Sequence, residues 1–145
     1  MLNSIAHLHK SEDLENCFDC VKKHMKSDAK FILDFFNPDL NLLTRDENEV
    51  FPIMEYLAPD TNEKVILKES GRYDKVTQVK HCNWYYQTGE REFSHTLNMR
   101  VFYPQELDML LKYNGFKIEE KYGNFDKSEF VNSSPKQVLV CGRIN

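Results

Sequence analysis

The sequence predicts a mixed α+β domain with two main helices and a long antiparallel section. Two stretches, residues 11–26 and 104–114, carry apolar residues at helical spacing. Between them, residues 63–102 change to alternating apolar and polar residues, which is typical of antiparallel strands with one wet face. A chain of 145 residues is long enough to bury a core, and we expect a single domain over 1–145.

The first helix is predicted by one apolar stripe. Its members recur at i, i+3, i+4, i+7 and i+11, and they are Leu14, Cys17, Phe18, Val21 and Met25. The next apolar run, residues 30–36, is nearly continuous, which predicts a core strand of the parallel kind in a mixed sheet. Pro38 ends that strand, because proline cannot donate to a strand ladder. Residues 39–62 contain Pro52 and Pro59 and are expected to be irregular.

The antiparallel section shows its alternation most clearly at one end. Apolar residues there alternate with polar ones, and the series is Phe93, His95, Leu97, Met99 and Val101. Since His95 lies on the apolar side of this series, we expect it to be a buried, hydrogen-bonded histidine rather than a ligand or a base. Ser70-Gly71 and Thr88-Gly89 are predicted to form the turns.

The second helix and the closing strands have clear boundaries. Pro104 suits the first turn of a helix, and Leu107, Leu110 and Leu111 form its buried stripe. Asn114-Gly115 is predicted to end it. Residues 116–122 and 137–142 are expected to be the last two strands.

Composition excludes several kinds of partner. The net charge of −4 argues against a nucleic-acid backbone, which favours a basic face. No stretch approaches the 18 apolar residues of a membrane-spanning helix, and the first residues lack a signal-peptide pattern. We therefore expect no membrane partner and a cytoplasmic location. Four cysteines are too few for a disulfide scaffold of this length, and reduced thiols are expected.

Cys17-x-x-Cys20, followed by His24, is the one arrangement that suggests a metal. All three residues lie on one predicted helix, and Cys17 belongs to its apolar stripe. A structural zinc ion is nearly always four-coordinate, and no fourth ligand is evident. The sequence therefore predicts no metal site.

The C-terminal third of the chain carries a set of motifs found together in one enzyme family. An extended entry leads into a helix closed by "N-G-F" and two final strands, in the order Met99-Arg100-Val101-Phe102-Tyr103-Pro104-Gln105-Glu106-Leu107, Asn114-Gly115-Phe116, Tyr122-Gly123 and Ser134-Pro135-Lys136-Gln137-Val138-Leu139-Val140. This tract resembles the ending of a class I S-adenosylmethionine (SAM) dependent methyltransferase of the small-molecule type. The stretch Gly71-Arg72-Tyr73-Asp74, with Gln78 and Trp84-Tyr85, is similar to that family's antiparallel insertion.

The resemblance implies a partial fold. It begins just after the family's fourth strand, so the chain would keep the fifth, seventh and sixth strands as a contiguous 5-7-6 part of a Rossmann-like α/β sheet. Residues 63–102 would be the antiparallel insertion that covers the substrate side. The implied cofactor is SAM. The family's glycine-rich cofactor loop has no counterpart here, because the first glycine is Gly71 and the glycines are never clustered.

The resemblance also places candidate site residues. In the family, the segment after the fourth strand lies beside the reactive methyl group. Asn3 and Ser4 would therefore contact the cofactor, and His7 would be either a proton acceptor or only a polar residue at a helix entry. Six residues would line the substrate side: Asn37, Tyr73, Trp84, Tyr85, Arg100 and Tyr103.

Some of these assignments keep a structural alternative. Trp84 and Tyr85 would form either a substrate wall or cross-strand packing pairs, and the sequence favours neither. Arg100 would steady an anionic substrate group or form a surface ion pair.

Two functions of different classes follow. The first is the C-terminal part of a SAM-dependent methyltransferase acting on a small molecule, with the isolated chain expected to be inactive. The alternative is a non-catalytic α+β module for binding or oligomerisation. For partners we expect a small-molecule substrate, and either a homodimer or a complementary N-terminal half. The dimer is expected because strand 30–36 would have an unpaired edge and the first helix an uncovered stripe at Leu14, Phe18 and Val21.

Overall fold

The computed structural model describes residues 3–144. The helices and strands, in chain order, are a 3-10 helix at Ser4–His7, α1 Ser11–His24, β1 Phe31–Phe36, α2 Leu40–Leu43, β2 Phe51–Leu57, β3 Lys64–Asp74, β4 Val79–Thr88, β5 Arg91–Arg100, α3 Pro104–Tyr113, β6 Phe116–Tyr122 and β7 Lys136–Arg143. They form two compact units, of which the first contains the chain up to Pro38 and from Val101 onward. The second unit is Asp39–Arg100.

The sheet of the first unit has the strand order β1-β7-β6. This is the 5-7-6 order that the resemblance predicts. The predicted parallel strand in a mixed sheet is wrong for the described residues, because β1 pairs there only with β7, and antiparallel. The strand is apolar because Leu33 and Phe35 are buried in the core on one of its faces. Ile32, on the other face, is 61% exposed, so the strand is not covered on both faces at that position.

An aromatic core holds α1 against this sheet. The rings of Phe18 and Phe116 meet edge to face with centroids 5.7 Å apart, and Phe31 lies 5.3 Å from Phe116. Leu14 and Phe18 are almost fully buried, at 1% and 0% exposure. The expected uncovered stripe on this helix is therefore wrong at these two positions, and at Phe18 the cover includes Phe116 of β6.

Both predicted helices are present, and their ends agree with elementary helix chemistry. α1 begins with Glu12 and Asp13 in its first turn and has cations in its last turn, which suits the helix dipole. α3 begins at Pro104. Beyond its end, Gly115 adopts a φ of 81°, a left-handed conformation that glycine reaches without strain.

The second unit is a four-stranded antiparallel sheet in the order β2-β3-β4-β5. Residues 39–62, predicted as irregular, in fact include the short helix α2 and the strand β2. The prediction is wrong because Pro52 argues only against a central strand. It is tolerated because β2 is an edge strand of this sheet, where a missing N–H group costs no central ladder bond.

The predicted turn at Ser70-Gly71 is also wrong, whereas the turn at Thr88-Gly89 is confirmed by the β4–β5 hairpin. β3 runs straight through Gly71, and the chain reverses after Asp74, whose Oδ1 accepts from the N–H of Val76 at 2.8 Å. Gly71 marks a close approach of two strands instead of a turn: a Cβ there would collide with the carbonyl oxygen of His81 on β4.

Replacing Gly71 with alanine is therefore expected to lower the free energy of unfolding by about 1–3 kcal/mol, as overpacking does in a core. Urea unfolding followed by far-UV circular dichroism measures it. The control is Gly89→Asn, because Gly89 has open space around it and a φ of 55° that asparagine tolerates. Equal stability of the two variants would contradict the close-approach account.

The edge strand β5 corrects one further expectation. Its register places His95 opposite Trp84, yet His95 is exposed and Phe93 is 59% exposed. His95 is therefore not the buried core histidine that the sequence predicts. Alternation shows which side of a strand is apolar, but it does not show whether anything covers that side.

None of the helices in residues 3–144 combines the length and the apolar character needed to cross a membrane.

Candidate functional site

The carboxyl end of β1, in the first unit, brings together two of the predicted site residues. Asn3 precedes the 3-10 helix, and its Oδ1 accepts from the backbone N–H of Phe36 at 2.8 Å. Asn37 donates from Nδ2 to the carbonyl oxygen of Ser134 at 2.9 Å. Both side-chain amides therefore form hydrogen bonds at the carboxyl end of β1, which is the end of the strands where open α/β sheets bind their ligands.

Gln137 joins this strand end and was not predicted. It lies on β7 opposite Phe35, is fully buried, and donates from Nε2 to the carbonyl oxygen of Phe102 at 3.2 Å. Its Oε1 has no hydrogen-bond partner among the described residues. A polar residue near the start of an otherwise apolar strand was the sequence feature that could have identified Gln137. A buried amide needs hydrogen-bond partners, so such a residue marks a contact between segments. Gln137 ties β7 to the segment that leads into α3.

Ser4, His7 and Tyr103 lie in the same unit. Ser4 is the half-buried first residue of the 3-10 helix, and His7 is its exposed last residue. No hydrogen bond joins His7 to Asn3 or Asn37 in the part of the chain that the structure describes. Tyr103 is the half-buried N-cap of α3, and its N–H donates to Oε2 of Glu106 at 3.4 Å.

The second unit contains an ionic cluster in the middle of its sheet. Glu69 on β3 is 6% exposed, although carboxylates are rarely buried without partners. Its Oε1 forms an ion pair with Nζ of Lys80, and its Oε2 accepts from Nε1 of Trp84 at 2.7 Å. Both carboxylate oxygens are thus held, and Trp84 is fixed by the one polar atom of its indole.

The strand register extends this cluster into a row. Phe51, Glu69, Trp84 and His95 are successive cross-strand partners on the four strands, and they share what we call the Trp84 face of the sheet. The aromatic rings of this row can provide apolar contact to a ligand, whereas both oxygens of the buried Glu69 are already bonded to Lys80 and Trp84.

The other predicted residues of this unit divide between the two faces. Tyr73 is the cross-strand partner of Lys80 and lies on the Trp84 face. Tyr85, the next residue after Trp84, lies on the opposite face, where its hydroxyl is 3.1 Å from Oγ of Ser70. Arg100 pairs with Val79 and shares the face of Tyr85. Trp84 and Tyr85 therefore belong to different surfaces of the sheet and do not form one wall.

The thiols are poor nucleophiles where they are buried. Burial raises the pKa of Cys82 to about 11 and that of Cys141 to about 12. Both are therefore protonated at neutral pH and behave as core residues. Cys20 lies on the surface with its sulfur 3.8 Å from Nδ1 of His24. Among the described residues, no group of three or more histidine, cysteine, aspartate or glutamate side chains could hold a metal ion.

The structure resembles several solved methyltransferases. It superposes on the CcbJ methyltransferase from Streptomyces caelestis with a TM-score of 0.81, at 20% identity, covering 97% of this chain and 57% of that one. A SAM-dependent methyltransferase from Clostridium acetobutylicum gives 0.74 at 17% identity, covering 99% and 56%. CalS10 from Micromonospora echinaspora, an amino pentose methyltransferase solved with SAM bound, gives 0.65 at 14% identity, covering 99% and 56%.

These similarities establish the fold: the chain has the α/β architecture of part of a methyltransferase, with an added antiparallel sheet. It spans a little over half the length of the solved chains it matches. No protein-family model matches the sequence, and neither does any curated protein.

Proposed function

We propose that this chain forms the C-terminal, substrate-side part of a SAM-dependent methyltransferase that acts on a small molecule. One observation carries the proposal. A single chain contains both the β1-β7-β6 sheet and a four-stranded antiparallel sheet, and 97% of it superposes on a solved methyltransferase. Neighbours of the same fold include an amino pentose methyltransferase and a sugar N-methyltransferase, which supports a small-molecule substrate.

The proposed roles follow the two clusters. In the first unit, Asn3 and Ser4 lie on the cofactor side, with His7 as the proton acceptor, and Asn37 and Tyr103 on the substrate side. Positioning matters most in methyl transfer, since the displacement at the sulfonium carbon needs two aligned reactants.

In the second unit, the proposed substrate-binding residues are Tyr73, Trp84, Tyr85 and Arg100. The held indole of Trp84 supports its role, because a rigid aromatic ring contacts a ligand with little loss of side-chain entropy. Tyr85 and Arg100 lie on the opposite face, so they would form a second, alternative substrate surface, because one small molecule contacts only one face of a sheet.

The described residues do not by themselves fit SAM. The side-chain oxygen of Asn3 is already bonded to Phe36, and no two described glycines form a cradle for a cofactor. We therefore propose that the cofactor cradle is supplied by residues other than those described, on a complementary N-terminal half. SAM would supply the electrophilic methyl group there.

We expect calorimetric titration of SAM into the purified chain to show weak binding or none, because too few of the required backbone donors are present. S-adenosylhomocysteine is the matched ligand, since it lacks only the transferred methyl group. A dissociation constant in the low micromolar range for either ligand would contradict this account of the cofactor site.

Reconstitution tests the function itself. The chain is co-produced with the polypeptide encoded by the neighbouring reading frame, and the pair is assayed for binding of radiolabelled SAM and for methylation of amino sugars. We expect both activities only in the pair, with loss of methylation in Asn37→Ala. A neighbouring frame that encodes no such half, or a pair that binds no SAM, would remove the support for methyl transfer.

The alternative is a non-catalytic module for binding or oligomerisation, and the exposed Ile32 on β1 favours it. Both proposals place the protein in the cytoplasm. They differ in the partner, which is a second copy of this chain for the module and the N-terminal half for the enzyme.

A further inference from the structure

Gln137 is a side-chain amide in an otherwise apolar part of the core of the first unit. Leu139 and Cys141 lie on the same face of β7 and, like Gln137, are fully buried. A buried amide lowers stability unless its polar atoms are paired, and Oε1 of Gln137 has no hydrogen-bond partner among the described residues. Stability alone would therefore favour an apolar side chain at this position. A residue that breaks a folding rule in this way is expected where function requires it.

The paired half of this amide holds two separate segments of the chain. Nε2 carries two hydrogens, and it donates to the carbonyl oxygen of Phe102 at 3.2 Å and to that of Phe36 at a longer 3.5 Å. The opposite orientation of the amide would place Oε1 against two carbonyl oxygens, which have no hydrogen to donate. Phe36 directly precedes Asn37. Phe102 directly precedes Tyr103. One side chain is thus bonded next to both residues proposed for the substrate side of this unit.

Neighbouring contacts bring the two segments together but do not fix their alignment. The rings of Phe35 and Phe102 meet edge to face with centroids 5.3 Å apart. Such a contact allows a range of offsets, whereas a hydrogen bond is directional. On the β1 side, Oδ1 of Asn3 holds the N–H of Phe36 and Gln137 holds its carbonyl oxygen. The end of β1 is therefore held from both sides, and a directional link between it and the segment before α3 runs through Gln137.

We infer that Gln137 is a positioning residue that sets the distance between Asn37 and Tyr103. It acts through the backbone, and the side chains of those two residues would meet the substrate. The inference rests on the proposed function for their roles, and it adds how that site keeps its shape before a ligand arrives. A site held in its binding geometry loses less conformational entropy on binding, and methyl transfer depends on such alignment.

Amide hydrogen exchange of the full chain, followed by ¹H–¹⁵N NMR, tests the inference in Gln137→Met. Methionine has nearly the same length but no donor. We expect the backbone N–H groups of Asn37 and Tyr103 to exchange about fivefold faster, the effect of losing roughly one hydrogen bond. In the unmodified protein these groups donate to Pro135 and Glu106. Urea unfolding should show that the global free energy of unfolding is unchanged or higher, because a half-paired amide has left the core.

Leu139→Met is the matched control, because Leu139 is equally buried on the same face of β7 but has no polar side-chain atom. Its exchange at Asn37 and Tyr103 should equal that of the unmodified protein. The inference is overturned if Gln137→Met leaves both exchange rates unchanged, changes only one of them, or changes them no more than Leu139→Met does. It is also overturned if exchange in Gln137→Met speeds up equally at all core amides, which is the sign of a global loss of stability. The measurement needs neither SAM nor an N-terminal half, so its failure is distinguishable from a failure of the reconstitution.

Discussion

Replacing Glu69 with leucine is expected to lower the free energy of unfolding by about 3 kcal/mol, which would be the largest effect of a single substitution in the second unit. The change leaves the ammonium of Lys80 at 15% exposure without its partner, and removing one member of a buried pair typically costs about 3–5 kcal/mol. The lower end applies because the long stem of Lys80 can carry its charge toward water. Urea unfolding measures the loss.

The same substitution has a spectroscopic signature. Trp84 is the single tryptophan of the chain, so the emission of the protein reports the environment of its indole. Glu69→Leu removes the acceptor of its N–H, and we expect the emission of the folded protein to change even at low denaturant.

Two further variants separate charge pairing from packing. Glu55→Leu removes one partner of the exposed pair with Lys64, whose side chains are 55% and 60% exposed, and should change stability by less than about 1 kcal/mol. The double variant Glu69→Leu/Lys80→Met should regain much of the lost stability, because it buries no unpaired charge. Equal losses for Glu69→Leu and Glu55→Leu would mean that the buried pair has no special role.

The two main helices could be predicted, because each depends on local signals. The stripe of α1 and the proline and glycine at the two ends of α3 are visible in consecutive residues. The order β1-β7-β6 followed from the resemblance of the closing motifs. The edge strand β2 could not be predicted. Proline argues against a central strand, and Pro52 is compatible with a strand only at a sheet edge, which the sequence alone does not identify.

The ionic cluster around Trp84 depends on the register between β3 and β4, which was not predicted from the sequence. Trp84 was predicted, but its partner Glu69 was not, because the predicted turn at Ser70-Gly71 lay too early in the chain. The observed reversal after Asp74 moves every cross-strand partner and places Glu69 opposite Trp84. The Asp74-x-Val76 turn was the signal that would have given this register, since aspartate side chains commonly accept from the backbone two residues on.

Self-association is the other prediction with a large expected effect. The backbone N–H of Phe36 points away from β7 and is bonded by Asn3. Because strand N–H groups alternate in direction, those of Ile32 and Asp34 point to the same outer edge. Ile32 is 61% exposed whereas Asp34 is only 4% exposed, so the accessible part of this edge combines the apolar side chain of Ile32 with its own backbone donor, which can pair with another strand.

We therefore expect the chain to form dimers at micromolar concentration and Ile32→Lys to raise the dissociation constant at least tenfold, because a charged side chain on an edge strand opposes pairing. Sedimentation equilibrium measures it, and folding should be unaffected since Ile32 lies on the surface. Met109→Lys is the control, because Met109 is also apolar and 46% exposed but lies on α3, away from the edge. If both variants dimerise like the original chain, the contact lies elsewhere. If the original chain is monomeric but Ile32→Lys prevents assembly with an N-terminal half, the edge of β1 serves the enzyme and not a dimer.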